Sequence, residues 1–89
     1  MIASGQAIVS APEGLHARPA AEFVRAVSLS LHEVTVKNSA GKSSTGSSIL
    51  GVLSLGIKQG EPVSIEVSGP NAEAVLERLI AVVSGSNPH

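Results

Sequence analysis

The segment from 63 to 67 limits the possible folds of this chain more than any other pattern. Val63, Ile65 and Val67 alternate with Ser64 and Glu66. Because successive side chains of a strand point to opposite faces, this alternation predicts a strand with one packed face and one solvated face. A sheet that contains such a strand is covered on one side only, which favours an α+β domain with helices packed on one face.

Two segments supply helices that can cover this sheet. From about 17 to 30, apolar residues recur at spacings of three and four, which predicts an amphipathic helix with Phe23 beside its apolar face. That face consists of Ala20, Val24, Val27 and Leu31. The second and stronger helical pattern begins after Gly69, with Pro70 in the first turn, and ends before a frayed tail at 84–89.

Shorter patterns place the other elements. Residues 6–9 predict a first strand, although their alternation is poor. Residues 34–37 predict a strand that continues through a turn at 38–41 into a polar strand at 42–45, which is best placed at a sheet edge. A short helix then follows a serine cap and ends near Gly56.

Composition excludes several classes of protein. With 89 residues, the chain has room for one domain, 1–89, and one core. A net charge of -1 and a single aromatic residue give neither a basic surface nor a stacking platform for nucleic acid. The chain has no Cys for disulfides or thiolate metal sites, and no Asp for a Ser-His-Asp triad. No segment is typical of a membrane span or a secretory signal, so the cytoplasm is the expected location.

The segment Gly14-Leu15-His16-Ala17-Arg18-Pro19-Ala20 places a histidine and an arginine at the predicted start of the first helix. The N–H groups of Ala17 and Arg18 would have no intrahelical acceptor, and the helix dipole would add positive charge, so a phosphate would be stabilised there. The same charge should lower the pKa of His16 and keep a neutral, nucleophilic imidazole. Local chemistry alone leaves two interpretations open: a phosphoryl acceptor, or a histidine that only caps a helix.

The same segment resembles the active-site motif of the HPr family, the histidine-containing phosphocarriers of the bacterial phosphoenolpyruvate:sugar phosphotransferase system. A second segment, Ser48-Ile49-Leu50-Gly51-Val52-Leu53-Ser54-Leu55-Gly56, resembles the regulatory-serine region of that family. The resemblance extends through the last helix and covers nearly the whole chain. It implies an open-faced sandwich, in which a four-stranded antiparallel sheet carries three helices on one face.

The resemblance also implies roles for individual residues. His16 would accept a phosphoryl group on Nδ1 from phospho-enzyme I and pass it to enzyme IIA domains for sugar uptake, with Arg18 contacting the phosphate. The chain would be a monomeric relay that is not an independent enzyme and needs no cofactor or metal. Ser48 matches the serine that an HPr kinase/phosphorylase modifies, although Ser47 stands where many relatives carry Lys. The alternative is that one of these two serines only caps the helix.

Residues near the motif are expected to form a docking surface for the partners. A short helix cannot bury all of the apolar residues at 49–53, so part of this set should remain exposed. Arg25 would extend the surface as a cationic rim, unless it is only a solvated side chain. The expected docking residues are Pro19, Ala20, Arg25, Ile49, Leu50 and Leu53. The hairpin is one residue longer than in common family members, which is expected only to lengthen its turn.

The sequence leaves one further function open and argues against another. A regulatory phosphocarrier of a nitrogen-type phosphotransferase branch would use the same fold to control other proteins. A metal-binding module built on His16, His32 and His89 is disfavoured, because the three histidines share no ligand spacing.

Overall fold

The computed structural model describes residues 1–12, 14–15 and 17–85, which form four strands and three helices. The strands are β1 (Ile2–Ile8), β2 (Glu33–Lys37), β3 (Ser43–Thr45) and β4 (Pro62–Ser68). The helices are α1 (Ala17–Ser30), α2 (Ile49–Ser54) and α3 (Ala72–Ser84). The predicted order of elements is confirmed.

The four strands form one antiparallel sheet in the order β1-β4-β2-β3. Val63, Ile65 and Val67 of β4 are completely buried, whereas Ser64 is half-buried and Glu66 is exposed on the other face. On the buried side, α3 packs on β1 and β4, and α1 packs on α3 and α2. The predicted open-faced sandwich is confirmed, and β3 lies at the sheet edge as expected.

Strand β1 is longer than its sequence pattern indicated. It begins at Ile2, whereas the prediction began at Gln6. Its inward-facing residues are Ala3, Gly5 and Ala7, which are small and give little hydrophobic signal. They allow α3 to approach closely, since a Cβ on Gly5 would lie 3.3 Å from a methyl group of α3.

Helix α1 has the predicted bounds, but its apolar face ends earlier than expected. Ala20, Phe23 and Val27 are buried in the core. Leu31, which was expected on the same face, is 93% exposed. The reason is that the helix ends at Ser30 and a φ of 60° at Leu31 turns the chain away from the helix axis.

Helix α3 differs from its prediction at both ends. Asn71 is its N-cap and has a left-handed conformation with φ 57°. Pro70 therefore precedes the cap, and its placement in the first turn was wrong. At the other end, Ser84 is helical and Gly85 is the C-cap, so the helix extends into the predicted tail. Residues 86–89 lie outside the described part of the chain.

The turn after α1 is held by His32. Its Nδ1 lies 2.6 Å from the carbonyl oxygen of Ser30, and its Nε2 lies 2.5 Å from the carbonyl oxygen of Pro70. Because a carbonyl oxygen only accepts, both nitrogens can donate at once only in the protonated ring. The hydrogen bond to Pro70 has the largest effect and raises the pKa of His32 above 6.5. The hydrogen bond to Ser30 raises this pKa further, and desolvation opposes both effects. Through these two contacts, the His32 ring ties the end of α1 to the loop before α3.

The stability of the protein should fall as the pH rises through the raised pKa of His32. Because the folded-state pKa exceeds the unfolded one, the stabilisation is fully present below 6.5 and is lost as the pH passes the folded-state value. Urea unfolding of the wild type and of His32→Asn, from about pH 6 to about pH 9, should give midpoints that converge as the pH rises. Parallel midpoint curves would contradict a stabilising imidazolium.

Candidate functional site

The loop before α1 is fixed by backbone contacts with the segment after α2. Gly14 N–H donates to the carbonyl of Ala11 at 2.8 Å, and Leu15 N–H donates to the carbonyl of Ile57 at 2.9 Å. Gly14 has a φ of 73°, and a Cβ there would overlap the Ile57 oxygen and lie 2.8 Å from the Cα of Lys58. Only glycine fits this close approach of two backbones.

On the other side of the predicted acceptor, Ala17 turns the chain into α1. Its φ of 48° lies in the left-handed region, which costs a residue with a Cβ about 1 kcal/mol. Right-handed helical dihedrals therefore begin at Arg18, whose N–H belongs to the first turn and has no acceptor within the helix. The first turn of α1 contains no acidic residue. An amide donor, the positive end of the helix dipole and a guanidinium thus lie together without a neutralising carboxylate in that turn.

The remaining residues of the motif divide between surface and core. His16 lies outside the described residues, and its role stays a prediction. Arg18 is exposed and Pro19 is half-buried; Arg25, seven residues along the helix and on the same side, is also exposed. Ala20 is 0% exposed. Its assignment to the docking surface was wrong, because its methyl group packs within the core.

Helix α2 carries an exposed apolar surface, which the sequence had indicated. Ile49 is 38% exposed and Leu50 is 77% exposed. Leu53, expected beside them, is half-buried and packs against the core. Because α2 packs against α1, the two helices that carry the predicted docking residues belong to one layer. We refer to Ile49 and Leu50 as the α2 patch.

Ser48 is the N-cap of α2. Its Oγ accepts a hydrogen bond from the Gly51 N–H at 3.1 Å, and the residue is half-buried. The neighbouring Ser47 is exposed, and its hydroxyl lies 3.1 Å from that of Thr45. The capping interpretation therefore applies to Ser48, which does not by itself exclude modification of the same hydroxyl.

The β2–β3 hairpin makes a contact with α2 that was not predicted from the sequence. Asn38 Nδ2 donates to the carbonyl of Leu55 at 2.9 Å, and Lys42 Nζ donates to the carbonyl of Ser54 at 3.1 Å. Turn residues such as Asn do signal side-chain hydrogen bonding. However, nothing in the local pattern indicates that the acceptors are 12 and 17 residues away.

The described residues include neither a candidate metal-binding cluster nor a helix that could span a membrane. They contain no group of three or more His, Cys, Asp and Glu side chains that could hold a metal ion. Within the same part of the chain, each helix is too short or too polar to cross a membrane.

The fold and the site define a small open-faced α+β domain that presents an electropositive helix start. The chain matches the family model "PTS HPr component phosphorylation site" over residues 3–84. It is 43% identical over 72 residues to phosphocarrier protein HPr of Streptomyces coelicolor, which covers 81% of this chain and 77% of the relative. The corresponding Vibrio cholerae protein is 37% identical over 78 residues, covering 88% and 91%.

A solved structure of a phosphocarrier protein HPr is also similar to this chain. The crystal structure of a phosphocarrier protein HPr from Bacillus anthracis superposes with a TM-score of 0.86 at 35% identity, covering 92% of this chain and 96% of that one. The chain belongs to the HPr family. Its role is that of a phosphocarrier of the phosphotransferase system.

Proposed function

We propose that His16 accepts a phosphoryl group on Nδ1 from phospho-enzyme I and passes it to enzyme IIA domains. The observation that carries this proposal is the complete segment from Gly14 to Ala20 at the start of α1, in a chain that matches the phosphorylation-site family model over 3–84. The proposed partners, a cytoplasmic location and a monomeric state belong to the same proposal.

The chemistry of the step follows from a neutral imidazole. The Nδ1 lone pair attacks the phosphorus atom of the donor, a new N–P bond forms, and the bond between phosphorus and the donor breaks with its electron pair leaving on the donor. The developing negative charge is stabilised by the backbone N–H groups of Ala17 and Arg18, by the Arg18 guanidinium and by the helix dipole. Transfer to an enzyme IIA domain reverses these events with a new acceptor.

The docking surface in this proposal combines the two helices. Pro19 and the α2 patch offer apolar contact, and Arg18 and Arg25 offer charge on the exposed side of α1. Acidic partner surfaces would be steered by these arginines, so association should weaken as the salt concentration rises.

We further propose that phosphorylation of Ser48 by an HPr kinase weakens this docking. A phosphate would bring roughly -1.5 to -2 charges at pH 7. Because Ser48 immediately precedes the α2 patch, the charge would face an acidic partner across the same interface. The helix start would tolerate the phosphate, since its dipole favours negative charge at that end.

Incubation of the protein with phosphoenolpyruvate and enzyme I tests the relay directly. The expected product carries one acid-labile, base-stable phosphate, as a phosphohistidine does, and loses it to a sugar-specific enzyme IIA. Transfer only to a nitrogen-type enzyme IIA would instead assign the protein to the regulatory branch. An acid-stable phosphate, or none, would contradict the proposal.

A further inference from the structure

The β2–β3 hairpin holds the end of α2. The last carbonyl groups of a helix have no partner within it. Here two of them are satisfied from the hairpin, Leu55 by the side-chain amide of Asn38 and Ser54 by the ammonium of Lys42. A cation at the C-terminal end of a helix also interacts favourably with the helix dipole.

The same asparagine folds the turn that carries it. Its side-chain Oδ1 accepts from the backbone N–H of Ala40 at 3.0 Å and from that of Lys42 at 2.9 Å. The backbone N–H of Asn38 donates to the Lys42 carbonyl at 2.9 Å. The two ends of the Asn38 side chain therefore act on different parts of the protein. The oxygen shapes the turn, and the nitrogen reaches α2.

A third contact joins the hairpin to the middle of α2. Ser44 lies directly against Gly51, and a Cβ at Gly51 would overlap the Ser44 hydroxyl. Helix α2 has only six residues, far fewer than an isolated helix needs to be stable in water. Its position must therefore come from its neighbours, and the hairpin supplies contacts at its middle and its end.

We propose that Asn38 is a positioning residue that sets the affinity for phosphotransfer partners through the placement of α2. The inference rests on the proposed function, because it assigns the α2 patch to the docking surface. Loss of the Asn38 donor should loosen α2 and weaken docking, while the chemistry at the start of α1 continues at its normal rate.

Two variants, one isosteric with asparagine and one neutral, test the side-chain N–H donor of Asn38. Asn38→Asp and Asn38→Ser both keep an oxygen that can accept from the turn, and both lose the N–H that reaches Leu55. Agreement between them separates loss of the donor from the added charge of Asp. Ser39→Ala is the matched control, because Ser39 lies exposed in the same turn and makes no side-chain hydrogen bond within the described residues.

Amide hydrogen exchange reports on α2, and steady-state kinetics report on docking. In both Asn38 variants the amides of Val52, Leu55 and Gly56 should exchange roughly fivefold faster, while that of Ile65 in β4 stays unchanged. The KM for the protein as substrate of phospho-enzyme I should rise about threefold to tenfold, with kcat unchanged. Ser39→Ala should match the wild type in both measurements.

Each contrary result has a distinct meaning. Unchanged exchange in α2 would overturn the claim that Asn38 holds α2 in place. Faster exchange with an unchanged KM would overturn the claim that the placement of α2 affects docking. A fall in kcat at constant KM would also overturn the proposal, because it would place the effect in the chemistry. A wild type that accepts no phosphate would overturn the proposed function, whereas an active wild type with unaffected variants would overturn the role of Asn38 alone.

Discussion

His16→Ala should abolish phosphoryl uptake from phosphoenolpyruvate and enzyme I. The proposed acceptor is the imidazole Nδ1, and alanine offers no nucleophile in its place. We expect the initial rate to fall by more than about 1,000-fold, to the background of the assay. Radiolabel incorporation or intact-protein mass spectrometry after incubation with both reagents measures this directly.

His32→Ala is the matched control for that experiment. His32 follows the opposite end of α1, and fourteen helical residues span about 20 Å. Its ring is bound to the carbonyls of Ser30 and Pro70. This variant should take up one phosphate per molecule, which is also the result expected for the wild type. Uptake of label by His16→Ala would refute His16 as the acceptor. So would a lack of uptake by His32→Ala, provided that the circular dichroism spectrum of this variant is native.

Gly14→Ala should both destabilise the protein and slow phosphoryl uptake. The new methyl group would overlap the Ile57 oxygen and meet the Cα of Lys58. Because both are backbone atoms, no side-chain rotation can relieve the overlap, and the loop must move. We expect a loss of about 2 to 4 kcal/mol in the free energy of unfolding. Displacement of the loop next to the proposed acceptor should slow transfer by about tenfold or more.

Gly60→Ala provides the comparison that isolates this contact. Gly60 has a φ of 85°, similar to the 73° of Gly14, but a Cβ there would meet nothing within 4 Å. This variant should lose only the cost of a left-handed alanine, about 1 kcal/mol, and transfer phosphate normally. Urea denaturation and initial transfer rates measure both effects. Equal losses in the two variants would mean that the backbone contact at Gly14 is unimportant.

The sequence predicted those elements whose residues alternate or repeat clearly. Strand β4 and helix α1 were identified because large apolar residues recur at the expected spacing. Strand β1 was cut short because its inner face is Ala3, Gly5 and Ala7, which pack by being small. The start of α3 was misplaced because the left-handed conformation of Asn71 depends on the connection and not on helix propensity.

The candidate site was accessible from sequence for a similar reason. Its residues are consecutive, so a linear motif shows the histidine, the arginine and the helix start together. Tertiary contacts were not accessible in this way. The overlap that requires glycine at Gly14 involves Ile57, and the bond from Asn38 reaches Leu55. Neither partner is near in sequence, so no local pattern indicates the pairing.

The uncovered face of the sheet gives this protein a convenient place for a reporter group. Thr35 and Thr45 lie opposite each other in neighbouring strands, and both are exposed. Because the chain contains no Cys, a cysteine introduced at Thr35 would be its single thiol and could be labelled without ambiguity. Such a probe would lie across the sheet from the helices. There it could report rotational motion as complexes form, without occupying the proposed docking surface.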